Sequence, residues 1–238
     1  AGRALRGPRR DATIRAMRVL FASGELFPPA FRGGAEASVD ELARELSHRG
    51  HPCEVVARLG HGAARFRHRL RRLLGRASGP ATRDLGNGYP TWRAPLRGLD
   101  AAFAARLRAF RPDVVLTWNE GAGRLADAAV ATGVRAIVWI PDATMRGATD
   151  GLRDLTSVTF AASSAFLARH VAPRLRRPVE VLRPLIRFDA YRCATYRPEV
   201  VTLVNPCASK GVEVALDLAT GLASRSFLFV VAHPLPPD

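Results

Sequence analysis

The sequence predicts an α/β fold, in which helices cover both faces of a parallel β-sheet. Short apolar runs recur along the chain and alternate with segments whose apolar residues repeat at helical spacing. Strands that alternate with helices pair in parallel, because each crossover helix carries the chain back to the end of the sheet where the preceding strand began. The 238 residues suffice for one large domain, or for one domain and part of another.

The first strand is predicted at residues 18–22, a short apolar run. After a loop rich in proline and glycine, four apolar residues recur at helical spacing and predict a helix with one buried face. They are Val39, Leu42, Ala43 and Leu46. Gly50 ends this helix, at a position that favours left-handed backbone. A second strand at 53–57 and a weaker third at 89–93 follow.

The alternation continues to residue 182. Helices are predicted at 101–110, 125–131 and 164–171, and strands at 114–117, 134–140, 157–162 and 179–182. Residues 183–198 contain prolines and no clear period, which indicates a linker. A strand, a helix and a strand follow at 200–204, 211–222 and 227–231. Because a β-α-β unit of this size cannot cover both faces of its own sheet, we expect a truncated second domain.

The predicted domain division has four parts. They are a basic N-terminal extension at 1–16, a first domain at 17–188, a linker at 189–199 and the first β-α-β of an incomplete domain at 200–238. Met17 stands directly before the first strand and is the expected start of the natural chain. The extension has charge but no apolar region of a signal peptide, and no apolar run approaches the ~18–20 residues of a spanning helix. A cytoplasmic location is therefore predicted.

The net charge of +15 raises the question of nucleic acid. The arginines are spread over most of the chain, and aromatic residues make up only 7%, so no nucleic-acid partner is predicted. Cys53, Cys193 and Cys207 are an odd number of cysteines and show no Cys-x-x-Cys spacing. Neither a disulfide framework nor a metal site is predicted, and a reducing compartment fits.

Residues 65–76 form a predicted basic amphipathic helix. Its apolar face is Phe66, Leu70, Leu73 and Leu74, and arginines crowd the rest. Two interpretations stay open: a surface helix of an arginine-rich protein, or a peripheral contact with anionic lipid headgroups.

Two glycine segments suggest ligand sites. Gly33 and Gly34 precede the first helix, where the backbone can approach a ligand and the helix N-terminus favours an anion. The alternative is a tight turn into the helix. The segment GAGRLA at 121–126 satisfies G-x-G-x-x-A, and Asp142 follows about 20 residues on, which would suit an NAD-dependent oxidoreductase. Against this, three residues separate the strand from the first glycine.

The segment 17–57, MRVLFASGELFPPAFRGGAEASVDELARELSHRGHPCEVVA, resembles the opening of family 4 glycosyltransferases. Its first strand, Phe-Pro-Pro loop, Gly-Gly-x-Glu helix start and Arg-Gly-His before the second strand appear in the family's order. Four more segments continue the resemblance: PDVVLTWN (112–119), SVTFAASSAFLARHV (157–171), VEVLRPLIRFDAY (179–191) and VTLVNPCASKG (201–211). It covers nearly all of residues 17–231.

The resemblance implies the GT-B arrangement, two facing Rossmann-like domains with the acceptor bound mainly by the first and the nucleotide-sugar mainly by the second. It implies sugar transfer with retention, without a metal and without a cofactor beyond the nucleotide-sugar. Gly33 and Gly34 would then face the donor diphosphate, and Lys210 would contact the same phosphates. Lys210 is the one lysine among 36 basic residues. A leaving nucleoside diphosphate develops negative charge that cations and helix N-termini can stabilise.

Several positions depart from the family pattern. Val204 and Asn205 stand where a glycine and an arginine usually precede the lysine, and Trp118 stands where a histidine is common. The remaining polar candidates follow strand ends, where open α/β sheets bind ligands. Asp142 and Glu120 are the catalytic candidates, and Glu36, Trp118 and Asn119 are the acceptor or cleft candidates. Asn119, Glu120 and Asp142 could equally cap helices or stabilise loops.

The family's Glu-x7-Glu segment would lie beyond Asp238, so this chain is expected to lack most of the donor site and to have little or no turnover. The acceptor would be a saccharide, a lipid or a small molecule. The two other functions that fit the sequence are the oxidoreductase built on residues 121–126 and a non-catalytic binding module.

Overall fold

The structure, a computed structural model, describes residues 15–31, 33–60, 80–193, 195 and 199–231. The chain divides into two compact units, Ala1–Ile186 and Arg187–Asp238. The helix predicted at 65–76 and most of the extension at 1–16 lie outside the described residues. Among the residues described, no helix combines the length and the apolarity needed to cross a membrane.

The described part of the first unit contains an eight-stranded sheet with the order β3-β4-β2-β1-β5-β6-β7-β8. The strands are β1 (Val19–Leu26), β2 (Cys53–Arg58), β3 (Thr82–Asp84), β4 (Thr91–Ala94), β5 (Val114–Trp118), β6 (Arg135–Ile140), β7 (Thr159–Ala162) and β8 (Val179–Val181). β3 is antiparallel to β4, and the other pairs are parallel.

The described helices of this unit are α1 (Gly34–His48), α2 (Leu99–Phe110), α3 (Ala122–Val130) and α4 (Ala165–Leu175). Two short 3-10 helices, Leu96–Gly98 and Leu155–Ser157, precede α2 and β7. Gly50 has a φ of +85°, as predicted for the residue that ends α1, and its N–H donates to the Ser47 carbonyl at 3.0 Å.

The sheet has a hydrophobic core on each face. Leu20 and Ala22 of β1 belong to one buried cluster, which includes side chains of α2, α3 and α4. Val19 and Phe21 belong to the other cluster, which includes Val39 of α1. Successive side chains of a strand point to opposite faces, so a strand covered on both faces must be apolar throughout. This is why β1 reads as a continuous apolar run, and the predicted α/β class with helices on both faces is confirmed.

The structure corrects several boundaries. β1 continues to Leu26, and the predicted third strand begins at Thr91 because Pro90 has no N–H to offer a ladder. α3 begins at Ala122 rather than residue 125, and α4 extends to Leu175 through Pro173. Leu175 is 3% exposed, so its burial favours the extra turn. β3 was not predicted, because it has three residues and no apolar run.

The described part of the second unit contains the parallel pair β9 (Val200–Val204) and β10 (Ser226–Val230), with α5 (Val212–Gly221) between them along the chain. It also contains the 3-10 helices Phe188–Tyr191 and Ala208–Lys210. Apolar side chains of these strands and of α5 remain substantially exposed. They are Val201, Val204, Val214, Leu216, Leu218, Leu228 and Val230. One helix and two strands do not cover these side chains.

Candidate functional site

The strand order of the first unit reverses at β1. The chain adds β2 and β4 on one side of β1, and β5, β6, β7 and β8 on the other. In open parallel sheets, ligands bind at the carboxyl ends of the strands, at the point of this reversal. The loops that follow β1 and β5 therefore define the candidate site.

Trp118 ends β5 and lies at the centre of this site with no exposed surface. Its indole Nε1 donates to Oε1 of Glu36 at 3.3 Å, across 82 residues of sequence. Its ring packs on Phe27 with 5.9 Å between centroids and 56° between planes. The Ser23 hydroxyl donates to the Trp118 carbonyl at 2.7 Å, which ties the end of β5 to β1.

Glu36 lies in the first turn of α1 and is only 3% exposed. Burial raises the pKa of this carboxyl, and the hydrogen bonds from its own backbone N–H, from Trp118 and from Asn119 oppose that shift only in part. A Cβ on Gly33 would overlap Oε2 of Glu36, whereas a Cβ on Gly34 would meet no described atom within 4 Å beyond its chain neighbours and the backbone of its own helix. Gly33 thus makes room for Glu36, and Gly34 leaves open space at the helix start.

The pKa of Glu36 can be tested by Glu36→Gln, which keeps an oxygen to accept the indole bond but cannot ionise. A carboxyl whose pKa is raised by folding stabilises the fold fully below its unfolded pKa, and this contribution is lost as pH rises through the folded pKa. We therefore expect the melting temperature of the variant, relative to wild type, to increase between about pH 4 and about pH 8.

Thermal melts over that pH range measure this difference, and Glu45→Gln is the matched control. Glu45 lies on the same helix with 41% of its side chain exposed. A Glu36→Gln difference that stays constant with pH, or that follows the Glu45→Gln control, would contradict the shift.

Arg146 joins the loops at the site. Its guanidinium lies 3.1 Å from a Glu25 carboxylate oxygen and 3.2 Å from one of Glu120. The Gly24 N–H donates to the Glu120 carbonyl at 2.7 Å, and a Cβ on Gly24 would come within 2.5 Å of the Glu120 Cγ. The loop after β6 is thereby connected to the end of β1 and to the loop after β5. Sequence reasoning missed Glu25 and Arg146, because neither belongs to a motif.

The glycines of the GAGRLA segment have a packing role. Gly121 has a φ of +74° immediately before α3. The Gly123 N–H donates to the Gly147 carbonyl at 2.8 Å, and a Cβ on Gly123 would lie 2.7 Å from the Asp150 carbonyl oxygen. Backbone of the β6–β7 loop thus lies against the helix start, where a dinucleotide fingerprint would place the pyrophosphate.

Asp142, Asn119 and Lys210 occupy different surroundings. Asp142 is exposed after β6, and its Oδ1 accepts bonds from the Thr144 N–H at 2.9 Å and hydroxyl at 2.5 Å, a loop-stabilising arrangement. Asn119 has a φ of +50° directly after β5. In the second unit, Lys210 is exposed and ends the 3-10 helix before α5, where Gly211 has a φ of +76°.

The structure therefore brings together Glu36, Trp118, Asn119 and Glu120, and Asp142 follows the neighbouring strand β6.

The described residues were searched for side chains that could hold a metal ion and for a reactive thiol. There, no three His, Cys, Asp and Glu side chains are grouped so that they could hold a metal ion. Burial raises the pKa of the Cys53 thiol to about 11, so this cysteine stays protonated and behaves as an apolar core residue.

The family model for Glycosyltransferase Family 4 matches residues 32–172, a range that contains Gly33, Gly34 and the whole Glu36–Trp118 contact. A search of curated proteins finds no match. Among solved structures, the chain is similar to Arabidopsis thaliana UGT89C1 complexed with quercetin, with a TM-score of 0.47 and 14% identity. That alignment covers 92% of this chain and 66% of the other.

The matched range runs from the residue before Gly33 into α4 and includes most of the sheet. It spans more than half of the 238 residues. The predicted resemblance is thereby confirmed, and the chain belongs to glycosyltransferase family 4.

Proposed function

We propose that this chain takes part in the transfer of a sugar from a nucleotide-sugar donor to a saccharide, lipid or small-molecule acceptor. The proposal includes retention of anomeric configuration, independence of metal ions and of cofactors other than the nucleotide-sugar, and a cytoplasmic location with peripheral membrane contact through residues 65–76. The observation that carries it is the convergence of Glu36, Trp118, Asn119 and Glu120 at the strand-order reversal, inside the range that matches the family.

The acceptor would bind at the carboxyl ends of β1 and β5. Glu120 has 43% of its side chain exposed there and is the group best placed to accept a hydroxyl proton or to stabilise positive charge on a reacting sugar. Glu36 is buried and accepts the indole N–H of Trp118, so we assign it to binding and to shaping the site. Asp142 is a weaker candidate, because its Oδ1 already accepts two hydrogen bonds from Thr144.

Each unit has one feature that we propose for phosphate binding: the start of α1 in the first unit and Lys210 in the second. Gly34 has open space beside its Cα at the start of α1, and a helix N-terminus attracts negative charge. Lys210 is exposed just before the start of α5, so its ammonium can reach a phosphate in solution. Lysine is a compact and flexible cation that can follow a leaving phosphate.

Binding of UDP, GDP and ADP to the full chain, measured by calorimetric titration, tests this proposal. Lys210→Ala is expected to weaken the best of the three by about 10–100-fold, because a hydrogen bond to a charged group contributes about 1.5–3 kcal/mol. Lys210→Arg should retain part of the affinity, since it keeps the charge but changes its shape.

Arg225→Ala is the control, because it removes an exposed positive charge from the same unit just before β10 begins. The proposal fails if the wild-type chain binds none of the three nucleotides. It also fails for Lys210 if Arg225→Ala weakens binding as much as Lys210→Ala.

A further inference from the structure

The loop between β1 and α1 is held by a neighbouring hairpin formed by residues 82–94. Arg93 of β4 donates from Nη1 to the Phe27 carbonyl at 3.0 Å and from Nη2 to the Pro28 carbonyl. Asn87, in the turn of the hairpin, donates from Nδ2 to the same Pro28 carbonyl at 2.9 Å. Two carbonyls at the start of the loop are therefore fixed by side chains that lie about 60 residues away in sequence.

Both donors are themselves fixed. Arg93 is 7% exposed and Asn87 is 4% exposed. The Arg93 Nε lies 3.0 Å from Oδ2 of Asp84, so all three nitrogens of the guanidinium are engaged. Burial raises the pKa of Asp84, but hydrogen bonds from the Gly86 N–H and from Arg93 outweigh it and lower the pKa. The carboxylate is charged at neutral pH and orients the guanidinium.

The same hairpin also contacts α1 beyond the far end of the loop. The Tyr89 hydroxyl donates to Oδ1 of Asp40 at 2.5 Å, and Asp40 has no exposed surface. Burial raises the pKa of Tyr89, so the hydroxyl remains a donor. Asp40 also lies 3.3 Å from the Arg44 Nε. The hairpin thus secures the chain on both sides of Gly33 and Gly34.

We infer that Arg93, assisted by Asn87, is a positioning residue that sets the backbone path at Phe27 and Pro28, where the loop before α1 begins. Through this loop it places Gly34 for a phosphate group, a step that rests on the function proposed above. The guanidinium suits the task because it presents donors in one plane to two adjacent carbonyls and a carboxylate. A lysine has one nitrogen and can reproduce only part of this pattern.

Arg93→Gln and Arg93→Lys test the inference, with Arg106→Gln as the matched control. Arg106 also forms a two-point ion pair, with Glu54 at 2.8 and 3.1 Å, and has 17% of its side chain exposed. Its described polar contacts do not involve the loop. Three quantities are measured on the full chain: the melting temperature, hydrogen exchange in a peptide covering residues 26–31, and affinity for UDP, GDP and ADP.

Arg93→Gln should speed exchange in that peptide by about tenfold, because charged hydrogen bonds to the loop are lost. Its nucleotide affinity should fall several-fold, and Arg93→Lys should recover part of both effects. Arg106→Gln should lower the melting temperature by a similar amount and leave loop exchange and affinity unchanged. A merely structural role for Arg93 would give the two glutamine variants the same pattern.

Unchanged exchange in Arg93→Gln, or equal exchange in Arg93→Gln and Arg106→Gln, would overturn the inference. A wild-type chain that binds none of the nucleotides would overturn the phosphate step together with the proposed function. The exchange measurements decide the positioning of the loop independently of that result.

Discussion

Trp118→Ala is expected to lower the free energy of unfolding of the first unit by about 3–5 kcal/mol, the range for large aromatic side chains in protein cores. Trp118 has no exposed surface and packs on Phe27. The substitution leaves a cavity and also removes the indole donor from the buried Glu36 carboxyl. Denaturant unfolding followed by circular dichroism measures the loss, and the candidate site is expected to lose its shape with it.

Two further variants complete this test. One separates the loss of packing from the loss of the indole N–H, and the other is a control at the surface. Trp118→Phe keeps much of the packing but not the N–H, and should cost less than Trp118→Ala. Phe166→Ala removes an aromatic side chain that is 71% exposed, and should change the free energy of unfolding by no more than about 0.5 kcal/mol. If Trp118→Ala were no more destabilising than Phe166→Ala, the packing described for Trp118 would be wrong.

Gly147→Ala is expected to lower the free energy of unfolding by about 2–4 kcal/mol, through two additive causes. Gly147 has a φ of +66°, which an alanine adopts only with strain. A Cβ there would also overlap the Asn119 carbonyl oxygen and lie 3.0 Å from the Gly121 nitrogen. Because Arg146 is the adjacent residue, displacement of this loop should also break its ion pairs with Glu25 and Glu120.

Gly133→Ala is the matched control for that prediction. Gly133 has a φ of +78°, and a Cβ at this position would meet no described atom within 4 Å beyond its two chain neighbours. It should therefore cost only the conformational part, about 1–2 kcal/mol. The difference between the two variants, measured by denaturant unfolding, reports the close approach to Asn119. Equal losses would mean that the loop can move away from β5 without penalty.

The helices and strands of the first unit were largely predictable, because each of them carries a local signal. The four apolar residues at helical spacing mark α1, and the continuous apolar run of β1 reflects burial on both faces. β3 had no such signal. Its three residues, Thr82–Asp84, become a strand through pairing with β4, and the pairing partner is not encoded locally.

The glycine motifs show why local patterns were insufficient for the site. Residues 121–126 satisfy a dinucleotide fingerprint in sequence, yet Gly123 packs against the backbone of Thr149 and Asp150. At residues 33 and 34 the two glycines do different things, since Gly33 accommodates Glu36 and Gly34 is open. A motif specifies residue types, whereas the tertiary structure determines whether packed atoms or open space lie beside each glycine.

The sequence by itself was sufficient to predict the α/β class, the alternation of strands and helices and the family, and to identify Lys210 as the one lysine. These properties depend on local periodicity and on the order of motifs along the chain. The tertiary structure alone decided that Glu25, Glu120 and Arg146 meet, and that Arg93 reaches the loop before α1. Such contacts depend on the order of strands in the sheet, which is a result of packing between distant segments and leaves no local pattern in the sequence.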